Sequence, residues 1–217
     1  MSTYSPPPYA RLDVVYADAA LLAVNKPSGL LSVPGRGEGK QDCLTARVQR
    51  EFPDALAVHR LDMGTSGLLI FARGEAVHSL LSRFFRERRV AKRYLAVVAG
   101  QLAPPAGEID LPLICDWPNR PRQKVDFSLG KASLTRYQAL HYAPESNMSR
   151  VELEPVTGRS HQLRVHLAAL GHPILGDELY GGMAELLAPR LLLHATDLWL
   201  PHPLTATDLH LHCPAPF

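Results

Sequence analysis

The apolar and polar positions of this chain alternate in patterns that predict many short strands and few helices. Residues 67–72 are wholly apolar, which is typical of a strand buried on both faces. Residues 150–155 instead alternate Val151 and Leu153 with Glu152 and Glu154, which predicts a strand with one buried face. Residues 75–88 carry apolar side chains at helical spacing along one stripe, which predicts an amphipathic helix.

The remaining elements follow from turn and capping signals. Helices are predicted at 42–51, with Asp42 as the N-cap, and at 161–170, which Gly171 and Pro173 end. Because strands outnumber helices and do not alternate with them regularly, we predict an α+β fold, with one domain over residues 1–217 and a flexible arm at 1–10. Further strands are predicted at 12–16, 21–24, 94–99, 133–142, 191–200 and 207–212, and a strand or extended segment is predicted at 108–114.

Composition narrows the class of protein. The 217 residues are 46% hydrophobic with a net charge of +2, as in an ordinary globular protein, so any nucleic-acid partner must be argued from local clusters of charge. Cys43, Cys115 and Cys213 form no Cys-x-x-Cys pair, and the N-terminus lacks the apolar core of a signal peptide. No apolar run reaches the roughly 18 residues of a membrane span. We therefore expect a cytoplasmic protein.

Charged chemistry stands directly before the apolar run. His59, Arg60 and Asp62 are followed by a glycine and two small hydroxyl residues, a composition typical of a tight loop. Asp62 is thus expected on a loop positioned by a buried strand, where catalytic groups often lie. A surface ion pair between Arg60 and Asp62 is the alternative.

Two short runs concentrate positive charge. Residues 83–93 hold six cations, and residues 120–124 hold three beside Trp117. Such runs are often solvated faces, but two of them in a nearly neutral chain are also the expected footprint of a surface that binds phosphates. The cations expected to bind phosphates are Arg83, Arg86, Arg89, Arg120, Arg122 and Lys124.

A third cluster lies at the start of the predicted helix 161–170. Arg159, His161 and Arg164 crowd a helix N-terminus, whose backbone N–H groups favour anions. Leu163 and Val165 flank Arg164 and should be buried, so the arginine needs an anionic partner. Asp62 is one candidate, and a capped, exposed helix start is the alternative reading.

Motifs for other chemistries are absent. The sequence contains no Gly-x-Ser-x-Gly elbow, no His-Glu-x-x-His and no dinucleotide fingerprint. The ten histidines are scattered, and His210 and His212 alternate along one predicted strand, as edge or core residues do. We expect no metal and no cofactor.

Several blocks together resemble a known family. His-Arg-Leu-Asp at 59–62, the Thr-Gly-Arg-Ser-His-Gln-Leu-Arg block at 157–164, Asn-Lys-Pro-Ser-Gly at 25–29 and Lys-Arg-Tyr at 92–94 are its four clearest blocks. They are similar to the signature elements of the RluA-type pseudouridine synthases. Segments 30–36 and 111–121 are most similar to the member of that family that acts on both large-subunit ribosomal RNA and tRNA anticodon stem-loops.

The resemblance implies a fold and a reaction. The fold is the pseudouridine synthase catalytic fold, a mixed, mostly antiparallel sheet with flanking helices and a central active-site cleft, here without an S4-type domain. The reaction moves the glycosidic bond of uridine from N1 to C5. Asp62 is implied as the nucleophile, attacking either the ribose C1′ or the uracil C6. We add the hypothesis that Arg164 pairs with it and keeps it charged.

The same resemblance implies how the substrate is held. Tyr94 is implied as a catalytic residue that lies against the uracil, where its hydroxyl helps to remove the C5 proton, with Leu163 on the other side. Arg60 fills the space left by the flipped uridine, at a flipping cost of roughly a few kcal/mol. His59 and Arg159 belong to the same substrate-binding set. The partners are ribosomal RNA and tRNA stem-loops, and we expect a monomer.

Two other functions remain open from the residues alone. A carboxylate-dependent nucleosidase would want a second acidic group opposite the first, and none stands near Asp62 in sequence. A non-catalytic RNA-binding module would use the same basic surface without the aspartate.

Overall fold

A computed structural model of the protein describes residues 4–217. The described chain forms two compact units, one made of the residues up to Lys92 together with His194–Pro216, and the other of Arg93–Leu193 together with Phe217. The first unit therefore draws on two separate stretches of sequence. The prediction of one catalytic domain stays a prediction.

Helices are few and strands are many, which confirms the predicted α+β class. The helices are α1 Leu44–Glu51, α2 Glu75–Arg86 and α3 Gln162–Ala169. None of the helices described between residues 4 and 217 has the length and apolar character needed to cross a bilayer. The strands are β1 Val14–Ala17, β2 Leu21–Lys26, β3 Ala55–Ala57, β4 Ser66–Arg73, β5 Ala91–Ala99, β6 Ala106–Asp110, β7 Leu113–Cys115, β8 Gln123–Val125, β9 Leu134–Ala143, β10 Met148–Pro155, β11 Leu193–Pro201 and β12 Asp208–His212.

In the first unit the strands lie in the order β1-β2-β4-β11, with β3 also paired to β4 and β12 to β11. The β4–β11 pair is parallel, whereas β2 and β3 both run antiparallel to β4. Leu68 and Ile70 of β4 pack with Leu81 and Phe84 of α2 in one apolar core. The predicted apolar strand is thus the buried centre of this unit.

In the second unit β5, from Arg93 onward, is followed across the sheet by β10, β9 and β6. Strands β7 and β8 form a separate antiparallel ribbon. Leu163 and Leu167 of α3 pack with Val151 and Leu153 of β10 in a second core, against which Tyr94 also lies. This core fixes the elements that carry the polar residues of positions 157–166.

The structure differs from the local predictions at three places. The segment 108–114, predicted as a strand or extended segment, contains the end of β6, which pairs with β9, and the start of β7, which pairs with β8. The predicted cap of α1 was misplaced by one residue: Cys43 Sγ accepts the hydrogen bond from Ala46 N, while Asp42 binds the side chain of Arg47 at 2.7 and 2.8 Å. A 3-10 helix at Gly182–Leu187 was not predicted.

The N-terminal segment, predicted as a flexible arm at 1–10, is described from Tyr4 onward, and residues 1–3 lie outside the described range. Residues 4–13 form neither helix nor strand. Tyr4 Oη donates to the carbonyl of Asp42, and Arg47 Nη2 donates to the carbonyl of Pro7. These bonds connect the segment to the start of α1.

Candidate active site

Asp62 lies in the loop between β3 and β4 of the first unit, as the sequence predicts. Its side chain is half-buried, and the neighbouring Arg60 is exposed. Arg60 forms no salt bridge in the described part of the chain, so the alternative of a surface ion pair between Arg60 and Asp62 is wrong. Arg60 can therefore serve a task separate from that of Asp62.

A buried lysine holds the main chain of this loop. Lys26, at the end of β2, is fully buried, and its Nζ donates to the carbonyl oxygens of Pro27, Leu30 and Met63 at 2.9, 2.7 and 3.0 Å. These bonds match the donors of an ammonium group to backbone acceptors, which offsets the cost of burying the charge. The residue directly after Asp62 is therefore held in place by Lys26.

Residues 28–32 complete this support. Ser28 Oγ donates to the carbonyl of Gly64 at 2.6 Å, and Ser32 Oγ both donates to the carbonyl of Leu61 and accepts from its N–H. The carbonyl of Met63 also accepts from the N–H of Gly29 at 2.9 Å. The backbone on both sides of Asp62 is thus held by bonds from residues 26–32, which we call the cradle.

The far end of the loop is fixed by a close approach of two strands. Gly67, on β4, has a φ of 110° and faces Ala195 of β11 in the parallel pair. A Cβ at Gly67 would overlap the carbonyl oxygen of Ala195 and would lie 2.6 Å from its nitrogen. Ser66 Oγ lies 2.8 Å from His194 Nδ1. Glycine is required here by both its φ angle and the available space.

His59 supports the same loop from the other side. Its Nε2 accepts a hydrogen bond from the N–H of Ile70 at 3.0 Å, and its ring stacks on Phe85 with centroids 4.6 Å apart. Burial, with a smaller contribution from Lys92, lowers the pKa of His59 to about 3. The ring is therefore neutral and structural, and its predicted contact with RNA stays a prediction.

The second unit positions Tyr94, Leu163 and Arg164. Tyr94 lies opposite Leu153 in the β5–β10 pair, and it packs against the same apolar cluster that contains Leu163. Leu163 and Arg164 are consecutive residues of α3, and both are buried. The structure thus brings Tyr94 and Leu163, which are both predicted to contact the uracil, into one apolar cluster. Arg164 directly follows Leu163 in the sequence.

Asp177 is an anionic partner of Arg164 that sequence reasoning gave no role. Arg164 Nε and Nη2 donate to the two carboxylate oxygens of Asp177 at 2.8 and 2.6 Å. Burial alone would raise the pKa of Asp177, but the bonds from Arg164 and from the N–H groups of Leu179 and Tyr180 hold it below its ordinary value. The bidentate geometry orients the guanidinium.

The turn before α3 is organised by its own side chains. Gln162 Oε1 accepts from Thr157 Oγ1 and from the N–H of Arg159, and the exposed Arg159 side chain donates to the carbonyl of Ala132 at 3.3 Å. His161, at φ 54°, places its Nδ1 2.7 Å from Tyr180 Oη. Arg159 is thus exposed beside a defined turn.

The basic side chains that are predicted to bind RNA differ in their exposure and in the contacts they make within the protein. Arg86 and Arg122 are exposed and form no salt bridge among residues 4–217. The Arg89 guanidinium lies over the Phe84 ring, at 4.3 Å from its centroid. Lys92, by contrast, is withdrawn from the surface, and burial and the nearby Arg88 lower its pKa. Two of the other predicted RNA-binding cations form long ion pairs, Arg83 with Glu87 at 4.0 Å and Lys124 with Asp126 at 3.9 Å. The Arg120 guanidinium lies 4.4 Å from the centroid of the Trp117 ring.

One group of side chains has the composition of a metal site. Ligand atoms of Asp197, His210 and His212 lie within 4.8 Å of one another. His210 Nε2 and His212 Nδ1 are each 2.8 Å from Asp197 Oδ1, so hydrogen bonds satisfy the group without an ion. The sequence missed it because Asp197 lies on the neighbouring strand. The expectation of no metal stays a prediction.

The chain also matches a family model. Residues 20–169 match the model of RNA pseudouridylate synthase. The chain therefore belongs to the RNA pseudouridylate synthase family, and it is an RNA pseudouridine synthase, an isomerase.

Within that family the relatives are of the RluA type. The dual-specificity RNA pseudouridine synthase RluA of Escherichia coli O6:H1 is 52% identical over 218 residues, which cover 100% of this chain and 99% of the relative. The protein of the same name from Haemophilus influenzae is 49% identical over 215 residues, covering 99% and 98%.

Solved structures agree with this assignment. Human RNA pseudouridylate synthase domain containing 1 is similar with a TM-score of 0.82 and 33% identity, over 98% of this chain and 87% of that one. Human RNA pseudouridylate synthase domain containing 4 has a TM-score of 0.72 and 27% identity, over 94% and 88%. The predicted fold class and family are confirmed.

Proposed function

We propose that this chain isomerises specific uridines to pseudouridine in stem-loops of 23S ribosomal RNA and in the anticodon stem-loop of tRNA. Support comes from full-length similarity to relatives that are named dual-specificity RNA pseudouridine synthases. The observation that carries the mechanism is the half-buried carboxylate of Asp62 on a loop whose backbone is held by the cradle. The nucleosidase and the non-catalytic RNA-binding module receive no support from the relatives.

In this proposal Asp62 is the nucleophile. It attacks either C1′ of the ribose or C6 of the uracil, and an ionised carboxylate is required for either attack. The bond from C1′ to N1 breaks and a bond from C1′ to C5 forms. The C5 proton is lost and N1 gains a proton, so the atoms balance and nothing is oxidised. The cradle serves this step by holding Asp62 at a fixed position.

Tyr94 and Leu163 are proposed to enclose the uracil ring, with the Tyr94 hydroxyl helping to remove the C5 proton. Their membership of one apolar cluster supports this role, because a ring that must rotate between two bonding positions needs flat, apolar walls.

Arg164 is proposed to act on Asp62 as an orienting charge. Asp177 supports this role because its bidentate contact fixes the direction of the guanidinium. The positive charge of the Arg164 guanidinium would also favour the ionised form of a second nearby carboxylate, which in this proposal is that of Asp62. An Arg164→Met enzyme that kept full activity would contradict this role.

The target uridine must leave the stack to be reached, and Arg60 is proposed to take its place. The exposure of Arg60 and its lack of a salt bridge in the described chain leave it available for this task. Phosphates and neighbouring nucleotides are assigned to His59, Arg159, Arg83, Arg86, Arg89, Arg120, Arg122 and Lys124.

The direct test is tritium release from RNA labelled at C5 of uracil, with ribosomal RNA and tRNA assayed separately. Asp62→Ala should abolish release while RNA binding persists. Asp208→Ala, which removes an exposed aspartate on β12, is the matched control and should behave as wild type. Tritium release by the Asp62 variant, or free uracil among the products, would overturn the proposal.

We also propose that the chain acts as one catalytic domain, as a monomer and in the cytoplasm. The family match spans residues 20–169 and so includes parts of both compact units, which supports a single catalytic body. Light scattering on the purified chain tests the monomer, and a dimer mass would contradict it.

A further inference from the structure

An exposed tryptophan stands at the tip of the β7–β8 ribbon in the second unit. Trp117 begins a 3-10 turn, Trp117–Asn119, between these two strands. The indole is 64% exposed, although burying an aromatic side chain of this size is strongly favourable. A large apolar ring left in water on a connecting turn marks a binding position.

The turn that carries this indole is well defined. The N–H of Asp116 donates to the carbonyl of Arg122 at 2.9 Å, and the N–H of Arg122 donates to the carbonyl of Asn119 at 3.0 Å. The Asn119 side chain donates to Asp116 Oδ2 at 2.9 Å. At the start of β8 the N–H of Gln123 is bound by Tyr180 Oη at 2.7 Å. The ring is therefore presented on a fixed support, so little ordering is lost when a ligand binds.

One face of the indole already has a partner. The Arg120 guanidinium lies over the ring, 4.4 Å from its centroid, which is a cation–π geometry. Because Trp117 is 64% exposed although the guanidinium covers one face of its ring, the exposed surface includes the opposite face. A flat ligand can stack on that face while the arginine stays on the other.

The charges around the ring select the kind of ligand. Arg120 and Arg122 are exposed and make no ion pair in the described chain, and the Lys124 contact with Asp126 is long at 3.9 Å. The nearby carboxylates are engaged in their own turns, Asp116 with Asn119 and Asp126 with the N–H groups of Ser128 and Leu129. An aromatic platform beside several cations is the composition that binds unpaired bases and their phosphates.

We propose that the open face of Trp117 stacks on an unpaired base in the loop of the RNA substrate, while Arg122 and Lys124 contact the adjacent phosphates. The inference rests on the proposed function, since the ligand is that RNA. It adds a residue that recognises the loop and not the paired stem, because bases inside a stem are covered on both faces by their stacked neighbours. A protein ligand is the other occupant to test, since Phe127 and Leu129 are also exposed, at 78% and 74%.

Tryptophan fluorescence reports the stacking directly. The chain has two tryptophans, so Trp199→Phe leaves Trp117 as the single emitter. In this background a tRNA anticodon stem-loop should quench the emission, and a long duplex of the same base composition, in which all but the terminal bases are covered by stacking, should quench it far less. Equal quenching by the duplex would overturn the proposal.

Substitutions of Trp117 and of a nearby control residue measure how much the Trp117 ring contributes to RNA binding. Trp117→Ala should raise the Kd and KM for the stem-loop about 5- to 150-fold, the range that stacking of one base gives, with a much smaller change in the rate at saturation. Trp117→Phe should recover most of the affinity, because it keeps an aromatic face. Phe127→Ala, an exposed aromatic in the next turn, should leave the Kd unchanged.

The outcomes separate this inference from the proposed function. Wild-type tritium release together with an unchanged Kd for Trp117→Ala would overturn the stacking alone. Absence of release from every stem-loop, with loop-specific quenching intact, would overturn the proposed function and support the stacking. A Kd that rises as much for Phe127→Ala as for Trp117→Ala would show a general apolar surface and overturn the specific stack.

Discussion

At the scale of single residues, the pair of Arg164 and Asp177 is a buried ion pair with bidentate geometry. The two side chains are only 6% and 1% exposed, and the guanidinium donates to both carboxylate oxygens. Removing two charges from water is costly, and the close contact offsets that cost only while both side chains are present.

This pair predicts a large loss of stability when it is broken. Asp177→Asn removes the negative charge and leaves a buried guanidinium without its bidentate partner, so the free energy of unfolding should fall by about 3–5 kcal/mol. Thermal melting measures the loss. Glu178→Gln, at the exposed neighbouring position, is the control and should melt as wild type. Equal melting of the two variants would contradict the structural importance of the pair.

His59 predicts how stability depends on pH. Its pKa is lowered to about 3 in the folded chain, because the ring is buried and protonation of Nε2 would remove the acceptor for the N–H of Ile70. In the unfolded chain His59 has the ordinary histidine pKa, so between the two pKa values it binds a proton that it does not bind in the folded chain. Stability should therefore fall as the pH decreases from about 6.5 towards 3, by at most about 1.4 kcal/mol per pH unit.

Urea unfolding at about pH 7.5 and about pH 5 measures this dependence. His59→Gln lacks the titrating ring, so its midpoint should change less between the two pH values than that of wild type. His141→Gln, at an exposed position on β9, should keep the wild-type difference. The same pH dependence in both variants would rule out His59 as its source.

At the scale of elements, the sequence predicted β4 but not which strands pair with it. An apolar run indicates burial on both faces, which β4 shows, yet the run does not name the strand that lies alongside it. Similarly, the segment 108–114 has strand-like residues throughout, and the structure divides it because its two halves pair with different partners. Pairing over long sequence distances is decided by packing and not by local propensity.

The close approach of β4 and β11 predicts the effect of a single methyl group. Gly67→Ala forces a Cβ against the Ala195 backbone and should lower the free energy of unfolding by several kcal/mol. Gly37→Ala, also at positive φ but with no atom within 4 Å of the added Cβ, should cost about 1 kcal/mol. The difference between the two melting shifts isolates the clash, and equal shifts would contradict it.

At the scale of the whole molecule, the family, the fold class and the position of Asp62 were readable from sequence. What sequence could not give is the cradle, since the Lys26 ammonium binds three backbone carbonyls and backbone carbonyls leave no signature in side-chain patterns. The same holds for the group of Asp197, His210 and His212, which adjacent strands bring together.

The basic side chains predict a change in salt dependence. Replacing Arg86 and Arg89 by alanine should weaken RNA binding and reduce the slope of log Kd against log salt by about one for each phosphate that the variant no longer binds, with the single-turnover rate at saturation little changed. Filter binding across a salt series measures the slope. Arg136→Ala is the control, because Arg136 is already paired with Glu108 and Glu154. A lowered chemical rate at unchanged affinity would contradict this assignment.

The parallel pairing of β4 with β11 has a consequence for synthesis on the ribosome. The bond between Ser66 and His194 closes over 128 residues, so β4 emerges from the exit tunnel long before its neighbour is translated. Until then the nascent chain exposes an apolar edge that only β2 and β3 can partly shield. The loop of Asp62 gains its contact with β11 only when residues beyond 194 have emerged, so catalytic competence must follow the translation of β11, and prolonged pausing before that point leaves an aggregation-prone intermediate.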